Sequence, residues 1–129
     1  MNLRIDVAFL RIALLYVIAG MVMGVYMAAS QDHSLTPAHT HIQLVGWVSM
    51  ALYALIYRTW PEMMTSPLVK WHFWMANIGA LIMNVGVVGI YAGYPEKFEP
   101  YASTGSIITL AGMLIFLIIA FRGISTRTA

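Results

Sequence analysis

Apolar positions run through this chain in long uninterrupted blocks. Four of them are about Val7 to Ser30, His39 to Thr59, Leu68 to Tyr94 and Ser103 to Ile124. Each is long enough to cross a hydrocarbon core as a helix, which takes roughly 20 residues. The breaks read "QDHSLTP", "WPEMMTSP" and "PEKFEPYAS", and all five prolines fall within them. There a missing N–H costs little. The breaks are too short to hold another domain. The pattern predicts an all-α protein with residues 1–129 as one transmembrane domain, an up-down-up-down four-helix bundle. The first block is longer than a secretory leader's apolar region and reads as an uncleaved helix.

Within the second block a 3.6-residue period places His39, Gln43, Gly46, Met50, Tyr53 and Tyr57 on one stripe. Lipid cannot satisfy polar groups, so this stripe should face the bundle interior. His41 lies about 200° away at roughly 100° per residue and heads the apolar stripe Val45, Val48 and Leu52. In the third block Asn77, Asn84 and Tyr91 recur every seven residues. Gly79, Gly86 and Gly93 recur on nearly the opposite side, with His72. Gly20/Gly24 and Gly89/Gly93 form pairs that let helix backbones approach closely.

Composition supports the membrane reading. The chain is 60 % hydrophobic and 9 % charged, where soluble domains carry roughly 25 % charge. A net charge of +2 gives no basis for nucleic-acid binding. There are no cysteines, which excludes disulfides and thiolate metal sites. Arg4, Arg11, Arg58, Lys70, Arg122 and Arg127 fall where four spans would share one side, and Lys97 alone falls on the other. The positive-inside rule puts both termini in the cytoplasm. His33, His39 and His41 then sit at the outer, periplasmic side of an inner membrane. His72 sits at the inner side, too far away to share a metal ion with them. Flanked by Trp71 and Trp74, it reads as an interfacial anchor. Arg11 reads as snorkelling to the inner interface.

Neutral imidazole is a good ligand for haem iron, copper or zinc. The candidate metal ligands are His41, His39, His33 and His72. Met23 and Met27 lie close by in the sequence of outer-end groups, though methionine more often fills cores. Nothing points to hydrolysis or phosphate binding. Ligand binding and electron transfer inside the membrane remain.

Two segments carry a family resemblance. "HTHIQLVGWVSMALYALIYRTWP", His39 to Pro61, resembles the histidine-bearing second helix of haem–copper oxidase subunit I and its nitric oxide reductase relatives. "KWHFWMANIG", Lys70 to Gly79, is similar to a stretch in a later helix of that subunit. The resemblance implies a b-type haem held by an axial histidine. That role falls on His41, by motif, or on His39, by stripe, with Gln43, Gly46, Trp47 and Met27 around it. The copper centre's additional histidines are missing, so oxygen reduction by this chain alone is not expected. Candidates for the second axial ligand are His39, His33, Met23, Met27 or a histidine of a second copy; His39 and His41 cannot ligate one iron from opposite faces on a regular helix, a problem that a homo-oligomer would solve. The expected function is electron transfer, haem handling or gas sensing. The alternatives are a copper-binding protein using His33, His39, His41 and Met27, and a metal-free structural or assembly subunit among respiratory-chain partners.

Overall fold

The computed structural model describes residues 4–125. Among them every regular element is helical, and four helices are long and apolar enough to cross a membrane. They are α1 (Ile5–Ser30), α2 (Thr36–Thr59), α3 (Val69–Tyr91) and α4 (Pro95–Ser125). A short 3₁₀ turn, Pro61–Thr65, joins α2 to α3. Arg127, part of the charge pattern above, lies outside the described residues.

Local chemistry sets the ends. Gln31, at φ 56°, closes α1 in the left-handed region while its Nε2 donates to the Ala28 carbonyl at 2.7 Å. The next turn is tied by Asp32, whose Oδ1 accepts from the Ser34 N–H at 2.9 Å. That backbone hydrogen bond, with help from the Ser34 side chain, holds the Asp32 carboxyl below its ordinary pKa. Pro37 sits in the first turn of α2, where its locked φ suits the helix. At the end of α3 the Gly93 N–H bonds the Ile90 carbonyl and the Tyr94 N–H reaches back to Gly89. This is a Schellman closure around a residue at φ 102°, which glycine alone adopts without strain. Gly93 therefore serves the turn, and the expected Gly89/Gly93 packing pair is corrected: only Gly89 packs, against the ring of Phe98.

The fourth span also starts earlier than its expected position at Ser103. Pro95 opens α4 and Pro100 lies inside it. Pro100, in the second turn, removes the hydrogen bond its N–H would give to the Glu96 carbonyl, and both residues are exposed, so water can satisfy that carbonyl.

The remaining glycines work in packing. A side chain at Gly79 would meet Thr109, one at Gly86 would meet the Ala102 backbone, and one at Gly105 would meet Met83. Rising numbers on α3 thus meet falling numbers on α4, so the two run antiparallel in close contact. α1 and α2 pair likewise, Gly24 beside His39, Gly20 beside Gln43, and Gly46 beside Tyr16. α2 meets α3 at Tyr57 with His72 and at Ala38 with Met83 and Val87.

Burial is uneven along the bundle. One end holds a large cluster that includes Phe9, Met50, Tyr53, Tyr57, Phe73 and Ile119. The other holds only Ala38, Met83 and Val87, with Met23 against them. Outward positions are apolar, with Phe121 74 % and Leu15 71 % exposed, as a lipid-facing surface requires.

Gly86→Leu should force α3 from α4 and lower stability in mixed micelles by about 1–3 kcal/mol. Chemical unfolding followed by tryptophan fluorescence reads the change.

Candidate functional site

α2 is not a uniform helix. Ile42–Val48, immediately after His41, forms a π-helical stretch between two α-helical segments. Both the Ser49 N–H and the Ser49 hydroxyl donate to the Leu44 carbonyl, the hydroxyl at 2.9 Å. Such wide turns change which residues face inward, and they recur at functional sites. The buried positions Ala38, Ile42, Gly46 and Met50 recur every fourth residue, and only afterwards do Tyr53 and Tyr57 return to ordinary spacing. The expected stripe is thus buried from Gly46 onward. At its outer end Ala38 and Ile42 are the deepest residues, and His39 and Gln43 are half-buried beside them.

His39 turns to α1. Its Nδ1 lies 2.9 Å from the Gly20 carbonyl. A carbonyl can only accept, so Nδ1 carries the hydrogen, and in the neutral imidazole Nε2 then keeps its lone pair. Gly20 and Gly24 clear the way: a Cβ at Gly20 would collide with the Gln43 amide, and one at Gly24 would sit 3.3 Å from His39 Cε1. Gln43 fills the space over Gly20, with its Oε1 buried and unpartnered.

His41 points elsewhere, and its Nδ1 lies 2.9 Å from the Pro37 carbonyl. By the same reasoning its Nε2 is also a free lone pair. Both imidazoles are therefore held in one tautomer by a backbone carbonyl, the commonest way a metal-ligating histidine is oriented.

The other outer-end candidates scatter. His33 is exposed in the loop, where its carbonyl accepts from the Thr36 hydroxyl at 2.7 Å. Met27 is buried, its sulfur 4.0 Å from that hydroxyl. Trp47 is 39 % exposed and turns outward. Among the described residues no three of histidine, cysteine, aspartate and glutamate gather closely enough to hold a metal ion.

His72 overturns its expected role as an interfacial anchor. Its side chain is fully buried. The ring lies 4.6 Å from Tyr53, 4.9 Å from Phe116 and 5.3 Å from Phe9, centre to centre. Its Nδ1 shares a 2.8 Å hydrogen bond with the Tyr57 hydroxyl, and its Nε2 is buried without a partner. The cause is helix phase: Trp71 and Trp74 face out and turn His72 inward. His39 stands eighteen positions from Tyr57 along α2, about 27 Å at 1.5 Å per residue. The two histidine centres are separate, as expected from depth.

Near His72 lies a charged group that the pattern of spans did not single out. Asp6 is buried, with Arg4 at 2.9 Å and Arg58 at 3.4 Å. Only its place two residues after one arginine hinted at it. This triad ties the start of α1 to the end of α2 at one end of the bundle.

No protein-family model matches the chain, and no solved structure matches it. One curated relative does: a bacteroid cytochrome c oxidase subunit 1 homolog from Bradyrhizobium diazoefficiens. It is 32 % identical over 96 residues, which cover 67 % of this chain and 17 % of the relative. The chain thus spans about a sixth of that relative's length.

Tyr57→Phe should leave both ring nitrogens of His72 buried and unpaired, and cost about 1–3 kcal/mol of stability. Adding His72→Leu should recover part of that loss. A double-mutant cycle measured by unfolding in mixed micelles reads both steps.

Four helices fit to span a membrane, with this distant similarity, describe a multi-pass membrane chain that is similar over 96 residues to part of a cytochrome c oxidase subunit 1 homolog.

Proposed function

We propose that this is a b-type haem-binding membrane protein acting in electron transfer, haem handling or gas sensing, with the iron ligated at the outer end of α2. The observation that carries the reading is the pair of oriented imidazoles. His39 and His41 each place Nδ1–H against a backbone carbonyl, which leaves each Nε2 free for an iron. The donor set suits the group: neutral imidazole is a common axial ligand of haem, and an anchored ring costs little to order on binding. Haem would supply one-electron chemistry or a gas-binding position there.

His41 is the first choice, because its ring turns to its own helix at Pro37 and is not anchored against α1. His39 is anchored inside the bundle against Gly20 and Gly24. The rings leave α2 in different directions, so one chain's α2 offers one axial ligand. A second copy of the chain would supply the other, which makes a homo-oligomer part of the proposal. His72, caged by aromatic rings, is assigned to packing in this reading. The scatter of His33, Met27 and the histidine pair favours haem over a copper ion held by one chain.

The basic end of the bundle holds Arg4 and Arg58, joined through Asp6, with Arg11 exposed about two turns after Arg4 along α1. Lys97 lies at the start of α4, near the opposite end. This supports an inner-membrane orientation with cytoplasmic termini and the histidine pair facing the periplasm. The chain contains four histidines in all, which argues against oxidase activity on its own. Work alongside respiratory-chain subunits is part of the same reading.

The purified protein should show a Soret band and b-type reduced-minus-oxidised features. His41→Ala or His39→Ala should abolish them; full bands in both variants would remove this site. A colourless protein that co-purifies with oxidase subunits would favour the assembly role instead. Gly24→Leu should displace His39 from the Gly20 carbonyl. If His39 is the ligand, haem affinity falls roughly 10–100-fold, read by haem titration; if His41 is the ligand, the titration is unchanged.

A further inference from the structure

α1 and α3 do not close against each other. Between them, over Ile42 of α2, runs an apolar groove of about 640 Å³ that reaches Tyr94 and Lys97 at the start of α4. A second cavity of about 380 Å³ shares Tyr16, Ala19 and Leu81 with it and continues toward Asn77. Neither His39 nor His41 lines either cavity.

Two asparagines interrupt the apolar wall. Asn84 lines the first cavity and Asn77 the second. Their amides are arranged alike. Asn84 Nδ2 donates to the Ala80 carbonyl at 2.8 Å, and Asn77 Nδ2 donates to the Phe73 carbonyl at 2.7 Å. A carbonyl cannot donate, so each amide's orientation is set by chemistry. Each Oδ1 then points away from its own helix, and each is buried without a partner. Asn84 is only 4 % exposed. An unpartnered amide oxygen in such surroundings costs free energy that a hydrogen-bond donor would recover. A lipid acyl chain would fill the groove and leave both oxygens unsatisfied.

We propose that the α1–α3 groove binds a lipid-soluble molecule whose polar head is a hydroxyl donor, a long-chain phenol or alcohol, with Asn84 Oδ1 accepting its hydrogen. Tyr16, on the facing wall, hydrogen-bonds the Asn84 side chain and helps to fix the amide that presents Oδ1. Asn77, seven residues and about 10 Å earlier on α3, marks a second acceptor for a head that enters more deeply. A site with a buried acceptor rejects an analogue that lacks the donor far more strongly than an apolar pocket rejects a change of shape.

The test uses the full chain in detergent micelles and two probes, 4-nonylphenol and its methyl ether 4-nonylanisole. Equilibrium dialysis against protein-free micelles removes simple partitioning. The wild-type protein should bind the phenol saturably and at least roughly fivefold more tightly than the ether, as one hydrogen bond predicts. Asn84→Leu should erase that preference and leave ether binding unchanged. Val85→Trp, on the exposed lip of the groove, should weaken both probes without touching the core. Equal binding of the two probes would mean plain acyl filling and would overturn the proposal. So would no saturable binding, which would mean a water-filled groove. A preference that survives Asn84→Leu would overturn it as well. If Asn84→Leu does not fold, unchanged phenol binding in Val85→Trp has the same force.

Discussion

A polar side chain between membrane-spanning helices has to find its partner inside the protein, because lipid offers none. The half of this bundle that holds His39 is organised around one answer to that constraint, the hydrogen bond from His39 to the backbone carbonyl of Gly20. A helical carbonyl spends one lone pair on its own helix and has a second to spare. An imidazole from another helix reaches that lone pair only if side chains stand aside. Gly20 and Gly24 provide the opening, and Gln43 takes the space above Gly20. The same bond fixes the tautomer of His39 and leaves Nε2 unbonded. One contact thereby holds α1 against α2 and orients the ring of His39.

The two ends of the bundle contrast. At one end His72 is enclosed by aromatic rings and tied to Tyr57, while Asp6 joins Arg4 and Arg58. Close packing of this kind leaves little room for repacking. At the other end the core is small, α2 widens into a π-helical stretch, and a groove opens between α1 and α3. Binding is better served by the open end, with the rigid end as its scaffold. The division also explains why the histidines differ in kind. His72 is held from several sides and left without access, whereas His39 and His41 are each held through one nitrogen.

Much of this was legible in the residues and some was not. The spans follow from runs of apolar residues, and α1, α2 and α3 begin or end within a few positions of where those runs do. The inward stripe from Gly46 to Tyr57 follows from helical period. The π-helical stretch was not legible, because its residues, Ile42 to Val48, are ordinary for an α-helix. His72 was misread because two tryptophans beside it suggested an interface, while helix phase turned them out and it in. Pro100 suggested a loop, yet near a helix start a proline removes little. Asp6 was overlooked because its second partner, Arg58, is distant in sequence and near only in the fold.

The central claim is that the outer histidines are held with hydrogen on Nδ1 and an open Nε2 ready for haem iron. Solid-state ¹⁵N NMR of histidine-labelled protein in bilayers, before and after stoichiometric haem, tests it most directly. The account predicts neutral His39 and His41 with protonated Nδ1, and a large shift of one unprotonated Nε2 resonance when haem is added. Protonated Nε2 on both rings, or spectra unchanged by haem, would contradict it.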